Sequence, residues 1–267
     1  MNTSKTIVSS KNKLILEYKQ SLINAAFVQQ GLLPKDRHFS KLFKEHFVLY
    51  QPQSTVGGDF YWVGSKHNLK YLAVGDCTGH GVSASLLSVL ALNLLEYSIM
   101  NKGLKKPSKI LQEIDKKFIE SFKDVESNHF DNPWIDISIL CIDEEKKRIT
   151  YSSANRKILH ISNAKPTIYK GCRYPIGGWQ IEECRKFNCH HFNYQTNDKI
   201  YIGSDGYQDQ IGGKNNKKYK AKNLHKFLLD HSSNNFTQQK NDLVKEFKKW
   251  KHINEQLDDI CIVGVEL

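Results

Sequence analysis

The 267-residue chain is long enough for one large domain with a real core, or for two small ones. Its 39% hydrophobic and 11% aromatic content excludes a disordered polymer. Lys and Arg total 39 against 28 Asp and Glu, a formal charge of +11, which raises a nucleic-acid reading.

The distribution of that charge argues otherwise. The lysines fall in scattered pairs, Lys105-Lys106, Lys116-Lys117, Lys146-Lys147, Lys217-Lys218 and Lys248-Lys249, typical of solvated faces. The interleaved aromatic and basic code of a base reader is absent. No nucleic-acid partner is expected, and a phosphorylated substrate suits the charge equally well. The six cysteines form no CxxC pair, and the first residues lack the apolar run of a signal peptide. A reducing, cytoplasmic setting is the expectation.

In chain order, residues 12–30 carry a loose apolar stripe and predict a helix ended by Gly31 and Pro34. Residues 47–51 predict a strand. Residues 59–63 and 71–74 predict a strand pair with residues 64–68 as its turn. Residues 82–100 are apolar enough to imitate a membrane span. Asn93 and Glu96 would be costly in lipid, so a helix buried between protein layers is expected, with no membrane span. Residues 108–122 predict an amphipathic helix with Pro107 at its entrance and Ser108 as cap.

Strands are then expected from Trp134 to Cys141 and at 148–153, 158–162, 167–170, 184–192 and 199–203. Two helices (221–230 and 237–250) and a strand (259–265) follow. Two blocks of strands with helix pairs between and after them imply stacked α+β layers.

The aspartates carry the chemistry. Asp59 follows Gly57-Gly58 at a strand start, and Asp76 follows an apolar strand and Gly75. Asp205 follows Tyr201-Ile202-Gly203-Ser204, and Asp258-Asp259 precede the apolar run Ile260-Cys261-Ile262-Val263. Each alone reads as a turn residue. Four acids abutting buried strands imply one shared cationic partner, because an unpaired acid there is expensive. Carboxylates without His or Cys companions favour hard cations, Mn²⁺ or Mg²⁺. Cys184, Cys189, His190 and His191 have the wrong spacing for a structural zinc site.

Five anchors in order then resemble a known family: Val56-Gly57-Gly58-Asp59-Phe60-Tyr61-Trp62, Val74-Gly75-Asp76-Cys77-Thr78-Gly79-His80-Gly81, Ser153-Ala154-Asn155, Tyr201-Ile202-Gly203-Ser204-Asp205-Gly206 and Asp258-Asp259-Ile260. The chain resembles the SpoIIE-like branch of the type 2C (metal-dependent, PPM-type) serine/threonine phosphatases, from about residue 47 to 267. The resemblance implies an α+β fold: a four-layer α/β/β/α sandwich of two antiparallel sheets flanked by helices. It also implies two Mn²⁺ or Mg²⁺ ions and a phosphoprotein substrate. Residues 41–267 would form the phosphatase domain. Residues 1–40 would be a helical extension serving homodimerisation or a regulatory partner.

By the same resemblance, Asp76 bridges both metals and the Cys77 carbonyl is a further ligand. Asp205 and Asp258 hold the second metal, and Asp59 reaches the first, through water or directly. The first acid of the Asp258-Asp259 pair aligns with the family ligand, which favours Asp258. Asp76 is also the expected catalytic carboxylate; His80, beside the metal motif, is a candidate catalytic proton donor to the leaving oxygen, or else a turn or packing residue between two glycines. The familiar phosphate-holding arginine has no counterpart in residues 47–56. Arg156 is a weaker candidate for that contact. Residues 214–222 read as a solvated loop or a substrate-facing flap, and Asp209 as an outer acid. A catalytically silent, phosphatase-like binding module is the rival reading; its signature would be a missing acid.

Overall fold

The computed structural model describes residues 2–123, 132–178 and 185–267, with side chains from residue 11 onward. The elements run α1 (Asn2–Leu32), α2 (Asp36–Ser40), β1 (His46–Gln51), β2 (Phe60–Lys66), β3 (Leu69–Cys77) and α3 (Gly81–Glu96). A π-helical turn (Tyr97–Asn101) leads to α4 (Pro107–Phe122). Then come β4 (Trp134–Asp143), β5 (Arg148–Ala154), β6 (Lys157–Ser162), β7 (Lys165–Lys170), β8 (Ile176–Gly177), β9 (His190–Asn193) and β10 (Lys199–Gly203). The chain closes with α5 (Gly206–Asp209), β11 (Ile211–Gly212), β12 (Lys217–Lys218), α6 (Ala221–Asp230), α7 (Phe236–Lys251) and β13 (Ile260–Glu266).

Two antiparallel sheets dominate. One has the order β2-β3-β4-β5-β9, with β8 paired to β4; the other is β1-β13-β10-β6-β7. Strand alternation sorts the side chains into three cores. Tyr71 and Ala73 of β3 and Ile135, Ile137 and Ile139 of β4 face α3 and α4. Leu72, Val74, Leu140 and Ile142 face the opposite way and meet Ile200, Ile202, Cys261 and Val263 of the second sheet. That sheet's other face, with Leu159, Tyr201, Ile260 and Ile262, receives Leu228, Leu243 and Phe247 of α6 and α7. Three cores in series make the α/β/β/α sandwich that the resemblance implies.

Several elements differ from expectation. The β2–β3 hairpin closes on His67 and Asn68, both left-handed (φ 53° and 60°), so its strands run further than the expected five-residue turn allows. The cap of α4 is Lys106, with no side-chain cap bond; Pro107 rather than Ser108 opens the helix. The apolar helix continues through the π turn, and Gly81–Asn101 as a whole is half buried on the sheet. Helix α1 is longer than the apolar stripe suggested. The strand expected over 184–192 is His190–Asn193; Cys184 lies outside the described residues.

Candidate metal centre

Side-chain parity brings the acids together. Asp76, next to last in β3, lies on the same side as Leu72 and Val74, the face that meets the other sheet. Asp136 of β4 is its register partner. Asp59 precedes β2 and is buried, and its Oδ2 accepts the Ser204 hydroxyl at 2.5 Å. Ser204 in turn accepts the Cys261 amide at 2.9 Å, so two strands of the second sheet aim the carboxylate. Its other oxygen, Oδ1, is buried without a hydrogen-bond partner among the described residues.

The loop Gly57-Gly58 lies flat against its neighbours for a reason. A Cβ on Gly57 would sit 2.6 Å from the Asp259 carboxylate, and one on Gly58 would sit 2.8 Å from the Cys77 carbonyl oxygen. Asp259 accepts the Gln53 and Gly58 amides, both at 2.6 Å. Both its oxygens are therefore committed to backbone. Asp258 is half-buried, and one of its oxygens accepts the Asp259 amide at 2.8 Å.

Arg156 occupies the middle. It follows Asn155, a left-handed residue (φ 58°) in the β5–β6 turn. Its Nη2 donates to Asp76 and lies 3.4 Å from Asp136, and its Nη1 lies 2.8 Å from Asp205. Asn155 Nδ2 donates to Asp136 at 2.8 Å. One guanidinium thus faces a group of five acids: Asp59, Asp76, Asp136, Asp205 and Asp258.

The electrostatics follow from that imbalance. Burial pushes the Asp76 carboxyl up to about 8; Arg156 pulls it down, and Asp205, Asp258 and Asp136 push it up. Burial also raises Asp136 to about 6, against the pull of Arg156 and the Asn155 bond. Asp59 stands well above the carboxylate range through burial and the Asp76 charge. Burial raises Asp258 as well. The Cys77 thiol is pushed up by burial, which keeps its sulfur protonated. Among the described residues no three His, Cys, Asp or Glu side chains already stand in ligating geometry; Arg156 takes the space between them. Hard divalent cations fit this donor set: carboxylate oxygens in excess of their counter-charge, two of them (Asp59 Oδ1 and Asp136 Oδ1) buried and unpartnered.

His80 is exposed at the N-terminal end of α3, where Gly79 and Gly81 turn the chain with φ of 83° and 75°. Residues 214–222 contain the turn and second strand of the small β11–β12 hairpin, where Lys218 pairs with Asp209 at 2.7 Å. Asp136 was legible only as one member of an alternating strand. Its signal was an acid at an inward-facing position of Ile135-Asp136-Ile137-Ser138-Ile139.

The comparisons agree with this architecture. The family model for Stage II sporulation protein E (SpoIIE) matches residues 68–267. The SiaA-PP2C domain of Pseudomonas aeruginosa superposes with a TM-score of 0.85 at 25% identity, covering 95% of this chain and 98% of that one. The PP2C phosphatase domain of SpoIIE from Bacillus subtilis, with a fragment of its regulatory domain, gives 0.66 at 17% identity, covering 84% and 63%. The S. agalactiae serine/threonine phosphatase gives 0.61 at 12%, covering 84% and 99%. No curated protein matches. With a family match over most of its length and the fold of PP2C phosphatase domains, the chain belongs to the SpoIIE family of PPM-type phosphatases.

Proposed function

We propose that the protein hydrolyses phosphoserine or phosphothreonine on a signalling protein, using two Mn²⁺ or Mg²⁺ ions held by Asp59, Asp76, the Cys77 carbonyl, Asp205 and Asp258. The observation that carries the reading is the gathering of these acids, from residues 59 to 258, around Asp76 and Arg156. A related chain, RsbX, was crystallised in complex with magnesium.

When bound, such ions turn a water into a nucleophile near neutral pH and offset phosphoryl charge. The chain's own groups do the rest. Ser204 fixes the Asp59 carboxylate through its hydroxyl. Asp259 ties the Gly57-Gly58 loop and so holds Asp59 in place. His80, exposed at the N-terminal end of α3, is assigned as the proton donor to the leaving serine or threonine oxygen. Helix α1 is proposed to serve a homodimer or a regulatory partner.

The test is hydrolysis of phosphopeptides and p-nitrophenyl phosphate by purified protein with Mn²⁺ or Mg²⁺. Asp76→Asn is expected to remain folded by circular dichroism, lose Mn²⁺ uptake in calorimetry and lose activity at least about a thousandfold, the scale of one strong catalytic group. Wild-type protein inert with both metals overturns the reading.

A further inference from the structure

The unexplained feature of the centre is Arg156. It is 8% exposed, and its guanidinium lies among Asp76, Asp136 and Asp205. Those carboxylates include two that the proposed function gives to metal. Arg156 occupies Oδ2 of both Asp76 and Asp205, and a divalent cation bound at those oxygens would compete with the guanidinium and repel it at close range. Yet Arg156 is not simply a structural counter-charge. Its buried Nε has no partner among the described residues, so the side chain holds a donor in reserve.

The backbone of Arg156 is fixed while its side chain has somewhere to go. Its carbonyl accepts Tyr151 Oη at 2.8 Å and the Gly171 amide at 2.9 Å, and its amide donates to Ser153 Oγ at 3.0 Å. Beside it opens a cleft of about 310 Å³ between the second sheet and α6, walled by Asp136, Asp205, Arg156, Lys157 and His225. A phosphoryl group and the side chain bearing it fit such a volume. Asp136 sits on the wall and pairs with Asn155, so it remains an anchor for the guanidinium after Asp76 and Asp205 are surrendered.

We propose that Arg156 is an exchangeable counter-cation: it holds Asp76 and Asp205 in the metal-free protein, yields them to the cations, and then grips the substrate phosphate from the wall of the cleft. The inference rests on the phosphatase reading and names the phosphate-holding group it lacks. Because the guanidinium must withdraw from Asp76 and Asp205 for the cations to take their full donor set, wild-type metal affinity is discounted by the cost of that withdrawal. Planar bidentate donation then suits a phosphoryl group better than an ammonium does.

The test is calorimetry on the full chain at pH 8.5, where protons compete least with metal. Arg156→Gln is expected to bind Mn²⁺ about tenfold more tightly than wild type, and Arg156→Lys close to wild type. Inorganic phosphate titrated into the Mg²⁺-saturated protein is expected to bind about tenfold more weakly to Arg156→Gln, with partial recovery in Arg156→Lys. Thermal melts with Mn²⁺ establish that both variants fold. Unchanged or weakened Mn²⁺ binding in a folded Arg156→Gln overturns the exchange, and unchanged phosphate binding overturns the clamp. Wild-type protein that takes up no Mn²⁺ removes the phosphatase reading itself, a result distinct from either.

Discussion

Asp258 and Asp259 are neighbours in sequence with opposite duties. Asp259 is 2% exposed and accepts two backbone amides; Asp258 is half-buried and faces the acids. Asp259→Ala strands both amides and is expected to cost about 2–4 kcal/mol in urea unfolding. Asp258→Ala is expected to cost less than about 1 kcal/mol while weakening Mn²⁺ uptake. Equal losses of stability in the two variants would contradict this division. Ser204→Ala removes the hydroxyl that aims Asp59, and metal affinity measured by calorimetry should fall by about 10–100-fold without abolition. Sequence alone showed four of these acids, because each sits beside a glycine or an apolar strand. It did not separate Asp258 from Asp259 by environment, since burial and amide contacts arise only when residues 53, 58 and 259 meet.

At the scale of elements, α1 is tied to the loop before Asp59 by the hydrogen bonds of one buried side chain. Gln29, 4% exposed, donates to the Gly57 carbonyl at 2.6 Å and to Ser88 Oγ at 2.9 Å, and accepts the Gly57 amide. It therefore connects α1 to the loop before Asp59 and to α3. Along the rest of the helix Leu16, Tyr18, Ile23 and Phe27 are exposed, Phe27 by 81%. If α1 pairs with a second copy, Leu16→Glu with Phe27→Glu should halve the mass seen by light scattering. An unchanged mass removes the dimer proposal. Long periodic segments such as α4, α6 and α7 were legible because their apolar faces repeat at helical spacing. The short pieces α2, α5, β8 and the β11–β12 hairpin were not, because two to five residues carry no period. The hairpin turn at His67-Asn68 was overestimated because its left-handed residues are not the usual Asn-Gly pair.

Over the whole molecule, the acid cluster links stability to pH. Asp76, Asp136 and Asp59 are all raised, so the folded state binds more protons than the unfolded one. The sign is set by that excess: the contribution of these three acids to metal-free stability is greatest below the unfolded carboxylate value near ~4. It then declines as pH rises through about 6 for Asp136 and about 8 for Asp76. The melting temperature of the metal-free protein should therefore fall between pH 5 and pH 8.5, to about these limits. The fall should be shallower in Asp76→Asn, and saturating Mn²⁺ should flatten it. An identical slope in Asp76→Asn would show that the acids do not set the trend.

The placement of β13 carries one more consequence. This strand, last in chain order among the described elements, lies between β1 and β10 rather than at an edge. Asp258 and Asp259 immediately precede it. During synthesis, Asp59, Asp76 and Asp205 are all made while the second sheet still lacks an interior strand. The centre is then incomplete, and β1 has no neighbour to pair with. The final threading of Ile260–Glu266 joins the two halves of that sheet and delivers Asp258 in the same event. Under the proposed function, closure of the second sheet and completion of the metal centre are one and the same folding event.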